Sequence, residues 1–199
     1  MWSTGLGMIH KFIQVGVACS SDPKPNPVAV DKAVRFAKEL ARFKNEVVLM
    51  TGGGGGLMTI VSKVFYEHGG TVMGFLPLEM EGVNVGHPRW NPYNTIEIYT
   101  SMSYQARSVP LVRSSDVLVC LGGDAGTLIE VLIAYLNRKP IICLIGTGYL
   151  TDKLPKLLDN EGYLDRRKLT KVIVEEDPTK AALKAYEIGK KTLKQHIKT

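Results

Sequence analysis

Cysteine is scarce in this chain, three residues in all, and an odd, small number excludes a disulfide framework as the source of stability. Cys19, Cys120 and Cys143 each fall in or at the end of an apolar run, where cysteine acts as a small hydrophobe. Histidine is also sparse. His10, His68, His87 and His196 are scattered without ligand spacing, so no metal site is expected. No unbroken apolar run nears the roughly twenty residues of a membrane span, and the start lacks a basic stretch followed by an apolar one. No membrane anchor and no secretory leader are therefore expected, and a reducing, cytoplasmic setting fits.

Acid is in short supply as well: 19 Asp and Glu stand against 25 Lys and Arg, a formal charge of +6. The excess collects late in the chain, at Arg166, Arg167, Lys168, Lys171, Lys184, Lys190, Lys191, Lys194 and Lys198. A basic balance favours anionic partners without choosing among them. Aromatic residues are not interleaved with these cations for base stacking, so a solvated helix face is the better reading and nucleic-acid contact the weaker one.

What the chain does have is Val- and Ile-rich runs alternating with helical patterns from end to end, the signature of βαβ units. The expected fold is α/β: a single Rossmann-like domain over residues 1–199. Its doubly wound sheet should be mostly parallel, with about seven strands and helices on both faces. Strands are expected at Phe12 to Cys19, Val47 to Thr51, Val72 to Leu76, Ile96 to Tyr99, Val117 to Leu121, Ile141 to Ile145 and Val172 to Val174. Crossover helices are expected after Pro25 and Pro27, over Met58 to His68, Ser103 to Ser114 and Thr127 to Asn137, with a last one opening at Asp177-Pro178. The long loop from Glu79 to Asn94 reads as a mobile lid.

Two glycine-rich turns each follow a strand pattern and open a helix pattern. The first is Thr51-Gly52-Gly53-Gly54-Gly55-Gly56-Leu57-Met58, the second Leu121-Gly122-Gly123-Asp124-Ala125-Gly126-Thr127. Such turns let backbone N–H groups approach an anion that the positive end of the next helix also attracts. In a doubly wound sheet both turns, with Ser20 and Ser21 after the first strand, should face one crevice. Neither turn carries the Gly-Lys-Ser/Thr of an ATP-hydrolysing loop or the full dinucleotide spacing. No Gly-x-Ser-x-Gly nucleophile elbow is present either.

Glu130 is the outlying carboxylate of an otherwise apolar helix containing Leu128, Ile129, Val131, Leu132, Ile133 and Leu136. Locally, Thr127-Leu128-Ile129-Glu130 fits a capping box, with Glu130 in the first turn reaching back to the N–H of Thr127. The alternative is that Glu130 faces the crevice and orients water or stabilises a cation. Arg107 reads either as a solvated helix residue or as a guanidinium fork aimed at phosphate or ribose oxygens.

The set Gly52 to Met58, Arg107, Gly123, Gly126, Thr127 and Glu130 resembles the Lonely Guy (LOG) family of Rossmann-like proteins, often labelled "possible lysine decarboxylase". Within that superfamily it is most similar to the molybdenum cofactor carrier branch. The resemblance implies a nucleoside 5′-monophosphate phosphoribohydrolase, cutting the N-glycosidic bond to free base and ribose 5-phosphate. Glu130 and Arg107 would be its catalytic residues, and Gly122, Gly123, Gly126 and Thr127 would hold the phosphate. The same likeness implies, as the alternative, a non-catalytic carrier or sensor of a nucleotide or a phosphorylated pterin-type cofactor. No cofactor is required for hydrolysis, and a homodimer or homotetramer is implied. Two departures stand out: Ser108 where the family's arginine is followed by lysine, and Asp124, which sets a negative charge in a turn meant for phosphate. No lysine suited to a pyridoxal phosphate Schiff base is identifiable, so the decarboxylase label gains no support.

Overall fold

Short runs of Val, Ile and Leu form strands here because branched side chains suit a pleated surface covered on both sides. The strands are β1 (Ile13–Ala18), β2 (Val47–Thr51), β3 (Thr71–Leu76), β4 (Ile96–Tyr99), β5 (Val117–Cys120), β6 (Ile141–Leu144) and β7 (Val172–Glu175). In space they run β4-β3-β2-β1-β5-β6-β7, and every neighbouring pair is parallel. The structure is a computed structural model that describes residues 12–198 apart from 84 and 88, with side chains described as far as residue 194. His10 and the side chains of His196 and Lys198, all named above, lie outside the described residues, as do Asn84 and Pro88 of the long loop.

The helices are α1 (Pro27–Leu40), α2 (Leu57–Glu67), α3 (Ser108–Ser114), α4 (Ala125–Leu136) and α5 (Pro178–Lys198). Alternation along β1 decides which face each covers. Ile13, Val15 and Val17 share a core with Ala29 and Phe36 of α1, Leu57 and Val61 of α2, and Ala181 and Ala185 of α5. The intervening Ala18 joins Leu118 and Cys120 against Val112 of α3 and Val131, Ala134 and Tyr135 of α4. Each large side chain buried this way contributes about 1.5–3 kcal/mol. The chain steps outward from β1 to β4, then crosses back to lay β5 on the other flank of β1. Loops leaving β1 and β5 thus diverge and leave a crevice beyond their carboxyl ends.

Most expected boundaries hold within a residue or two, and three features differ. Helix α3 begins at Ser108, five residues later than the pattern suggests, because residues 103–107 close tight turns (Arg107 N–H to Ser103 O, 2.9 Å; Ser108 N–H to Gln105 O, 3.3 Å). Helix α4 begins at Ala125, two residues early, which moves Glu130 out of the first turn. A 3₁₀ helix at Leu150–Leu157 was not foreseen, since Pro155 within it disrupts any α-helical pattern. Among the described residues no helix is long and apolar enough to cross a membrane.

Candidate functional site

Loops leaving β1, β2, β3 and β5, together with the segment before α3, line one cleft of about 690 Å³. That volume lies within the ~300–1,000 Å³ typical of small-molecule sites. Neighbouring strands lie ~4.8 Å apart, so the cleft spans roughly 14 Å from the β5 end to the β3 end.

At the β5 end, the first turn of α4 presents Gly126 and Thr127 to the cleft, and its leading N–H groups have no partner within the helix. At the middle, Ser20 and Ser21 follow β1, and Gly52, Gly54, Gly55 and Gly56 follow β2. Three of the glycines expected to bind phosphate do not line the cleft. Gly123 donates its N–H to Thr151 Oγ1 at 3.1 Å, Gly53 donates to Thr51 Oγ1 at 3.1 Å, and Gly122 accepts from Ser20 N–H at 2.9 Å. These three shape the loops from behind. Gly56 serves both purposes: at φ +68° it lines the cleft, and a Cβ there would lie 2.6–2.7 Å from backbone atoms of Ser21, Asp22 and Ser20.

Glu130 and Arg107 meet inside the cleft. Arg107 Nη1 donates to Glu130 Oε1 at 2.9 Å, and both side chains are about nine-tenths buried. The Ser108 hydroxyl donates to the same oxygen at 3.0 Å. The capping-box reading is therefore wrong: α4 starts at Ala125, so Glu130 bonds across to the segment opening α3 and not back to Thr127. The solvated reading of Arg107 is equally wrong, since the residue is only 8% exposed. Burial pushes the Glu130 carboxyl above its ordinary range, while the charge of Arg107 and the hydrogen bonds from Ser108 and Arg107 pull it back. Arg107 Nε is buried with no hydrogen-bond partner, an unsatisfied donor on a residue that lines the cleft.

The remaining wall was not anticipated. Cys19 lines the cleft at the end of β1, its thiol pushed well up by burial and by the charge of Glu130, with Arg107 opposing. Toward β3 the lining turns apolar with Pro77 and Met80, and Arg89 reaches across to donate to the Tyr104 hydroxyl at 2.8 Å. Periodicity could not flag Pro77, Arg89 or Tyr104, which stand outside helices and strands, and it read Cys19 only as the end of a strand. The expected lid is tethered at its far end: buried Asn91 donates to Ser62 of α2 at 3.2 Å, and Asn94 donates to Gly53 O at 3.1 Å. Asp124 turns its carboxylate to the N–H of Leu150 at 3.3 Å while still bordering the cleft. Among the described residues no three His, Cys, Asp or Glu side chains gather in a way that could hold a metal.

Comparison with known proteins identifies the family and the fold. The sequence pattern described as the SLOG cluster4 family matches residues 12–182. Cytokinin riboside 5′-monophosphate phosphoribohydrolase LOG5 of Arabidopsis thaliana is 30% identical over 145 residues, which cover 70% of this chain and 61% of that protein. This chain thus spans about three fifths of the length of that relative. The solved structure of TM1055 superposes with a TM-score of 0.76 at 34% identity, covering 88% of this chain and 99% of that one. The molybdenum cofactor (Moco) carrier protein of Chlamydomonas reinhardtii superposes with a TM-score of 0.70 at 26% identity, covering 91% and 99%. With its switch-point cleft and its match along most of its length, the chain belongs to the SLOG cluster4 family, within the LOG-like Rossmann superfamily that includes the Moco carriers.

Proposed function

We propose that this protein hydrolyses the N-glycosidic bond of a nucleoside 5′-monophosphate. The observation that carries the reading is a buried carboxylate, Glu130, held on one oxygen by Arg107 in the same cleft as the N-terminus of α4. The phosphate sits on the free N–H groups at the start of α4 beside Thr127, where the helix dipole favours negative charge. The base extends toward Pro77 and Met80, and the ribose lies between, over Glu130.

Bond breaking leaves positive charge on the ribose, and a nearby carboxylate stabilises it. Glu130 also orients water: the water oxygen bonds to C1′ as the base departs, and its proton passes to Glu130 and then to the base nitrogen. A carboxyl that burial pushes up and Arg107 and Ser108 pull back only in part suits this exchange. Arg107 steadies the ribose phosphate through the face of its guanidinium not held by Glu130. The test is incubation with a panel of nucleoside monophosphates. Free base and ribose 5-phosphate are expected, and Glu130→Gln should lower kcat by ~10²–10⁴-fold. Undiminished turnover in that variant removes the catalytic assignment.

A second reading is favoured by the superposition on the Chlamydomonas Moco carrier. In it the same cleft carries a phosphorylated pterin-type cargo without chemistry. Ligand-dependent stabilisation with no product would support it over hydrolysis. In either case we propose a homodimer formed through α4, whose Leu132 and Leu136 are 48% and 54% exposed, and which packs on α3, where Val109 is also exposed.

A further inference from the structure

Both donors that reach Glu130 converge on one oxygen, Oε1: Arg107 Nη1 at 2.9 Å and Ser108 Oγ at 3.0 Å. Oε2 accepts no hydrogen bond from the described residues, and the buried side-chain atom left without a partner is Arg107 Nε, so Oε2 opens to the cleft. The Ser108 hydroxyl has one proton and two acceptors in reach, Glu130 Oε1 at 3.0 Å and the Tyr104 carbonyl at 3.4 Å. The shorter bond to the charged acceptor takes the proton. Ser108 is 4% exposed and stands at the first residue of α3, so its rotamer is set by packing.

We propose that Ser108 is a positioning residue that pins Oε1 of Glu130 and so selects Oε2 as the oxygen presented to a ligand. An arginine alone does not achieve this, because a guanidinium can engage either oxygen or both. A single hydroxyl from a rigid helix start breaks that symmetry. The titratable group that acts on Glu130 is Arg107, ahead of α3, while Cys19, after β1, has its thiol pushed up by burial and by Glu130 and stays neutral. Ser108 is thus the neutral donor among them, able to orient the carboxylate without adding a second positive charge.

This inference rests on the hydrolase reading only for its kinetic readout, and the decisive measurement is made on the ligand-free protein. With ¹³C-carboxyl glutamate labelling, and Glu130→Gln to assign the resonance, the Glu130 titration midpoint is read directly. Ser108→Ala is expected to raise it by about 1 pH unit, a tenfold change in proton affinity, since a hydrogen bond to the charged form is lost. Ser108→Thr should restore the native midpoint, and Ser108→Cys, a weaker donor, should fall between. With a hydrolysable monophosphate, Ser108→Ala should cut kcat about tenfold with KM held within about twofold, and Thr should rescue it. A midpoint unmoved in Ser108→Ala overturns the proposal. If that variant does not fold, equal midpoints in the Thr and Cys variants overturn it. A shifted midpoint in a protein that hydrolyses no nucleotide supports the positioning role while rejecting the hydrolase reading.

Discussion

The guanidinium of Arg107 lies against Gly52: a Cβ at that glycine would sit 2.3 Å from Nη2 and 2.5 Å from both Cζ and Nη1. The first glycine after β2 is therefore a platform for the arginine that grips Glu130. Gly52→Ala should displace Arg107 and cost about 1–3 kcal/mol, with loss of ligand binding. Gly54→Ala should be far milder, because its Cβ would meet only the flexible end of Met58 at 3.3 Å. Chemical denaturation of the two variants compares them directly, and equal losses would contradict the platform role.

Gly126 provides the opposite case. A Cβ there meets nothing within 4 Å, and the residue borders the cleft at the start of α4. Gly126→Ala should leave the melting temperature unchanged or slightly raised, given alanine's better helix propensity. Affinity for a nucleoside monophosphate should nonetheless fall, as the methyl group enters the space for the phosphate. Calorimetric titration beside a melting curve separates the two effects.

Breaking the Arg107–Glu130 pair from the arginine side leaves a buried carboxylate without its countercharge. Arg107→Ala should cost about 3–5 kcal/mol at neutral pH. Glu130 already binds its proton more tightly folded than its ordinary 4.5 implies, so its contribution is fully present below that value and is lost as pH rises through the folded midpoint. Without Arg107 the folded midpoint climbs further, so urea midpoints should show a larger deficit at pH 8 than at pH 5. A deficit independent of pH would mean that lost packing, not charge, is responsible.

Asp124 stands at the cap of α4 with its carboxylate on the Leu150 N–H. Asp124→Asn keeps an oxygen for that bond and removes a negative charge next to the phosphate end of the cleft. Phosphate and monophosphate affinity should rise several-fold at low salt, and the gain should shrink as salt screens it. No gain at low ionic strength would show that the carboxylate is too far from the bound anion to matter.

Away from the cleft, Lys184 Nζ lies 2.6 Å from Glu175 Oε2 and holds that carboxyl down at about 2. The resulting stability is present above the ordinary 4.5 and is lost as pH falls toward about 2. Lys184 is 41% exposed, so Lys184→Met should cost under ~1 kcal/mol at neutral pH. Acid-unfolding curves of the two proteins should converge near pH 2.

For the proposed dimer, Leu132→Glu should yield a monomer by sedimentation with the fold intact, because that side chain is half exposed in the single chain. A native-like mass for the variant would rule out α4 as the contact.

The amino-acid sequence by itself determined the strands, the crossover helices and the place of the crevice, because each is written in short-range pattern. Val47 to Met50 is uniformly apolar and with Thr51 becomes a strand buried on both faces, and Asp177-Pro178 caps a helix through a local hydrogen bond from the Thr179 N–H to the Asp177 carboxylate. Tertiary structure decided what Glu130 and Arg107 do. Local spacing left each with two readings, a cap or a crevice carboxylate for Glu130 and a solvated residue or a ligand-facing fork for Arg107; they pair at 2.9 Å across 23 residues of chain because β5 returns beside β1 and sets α4 against α3. It also sorted the glycines, since whether an N–H faces ligand or is taken by Thr151, as at Gly123, depends on a residue 28 positions away. Pattern reads neighbours along the chain, whereas a buried charge answers to its neighbours in space.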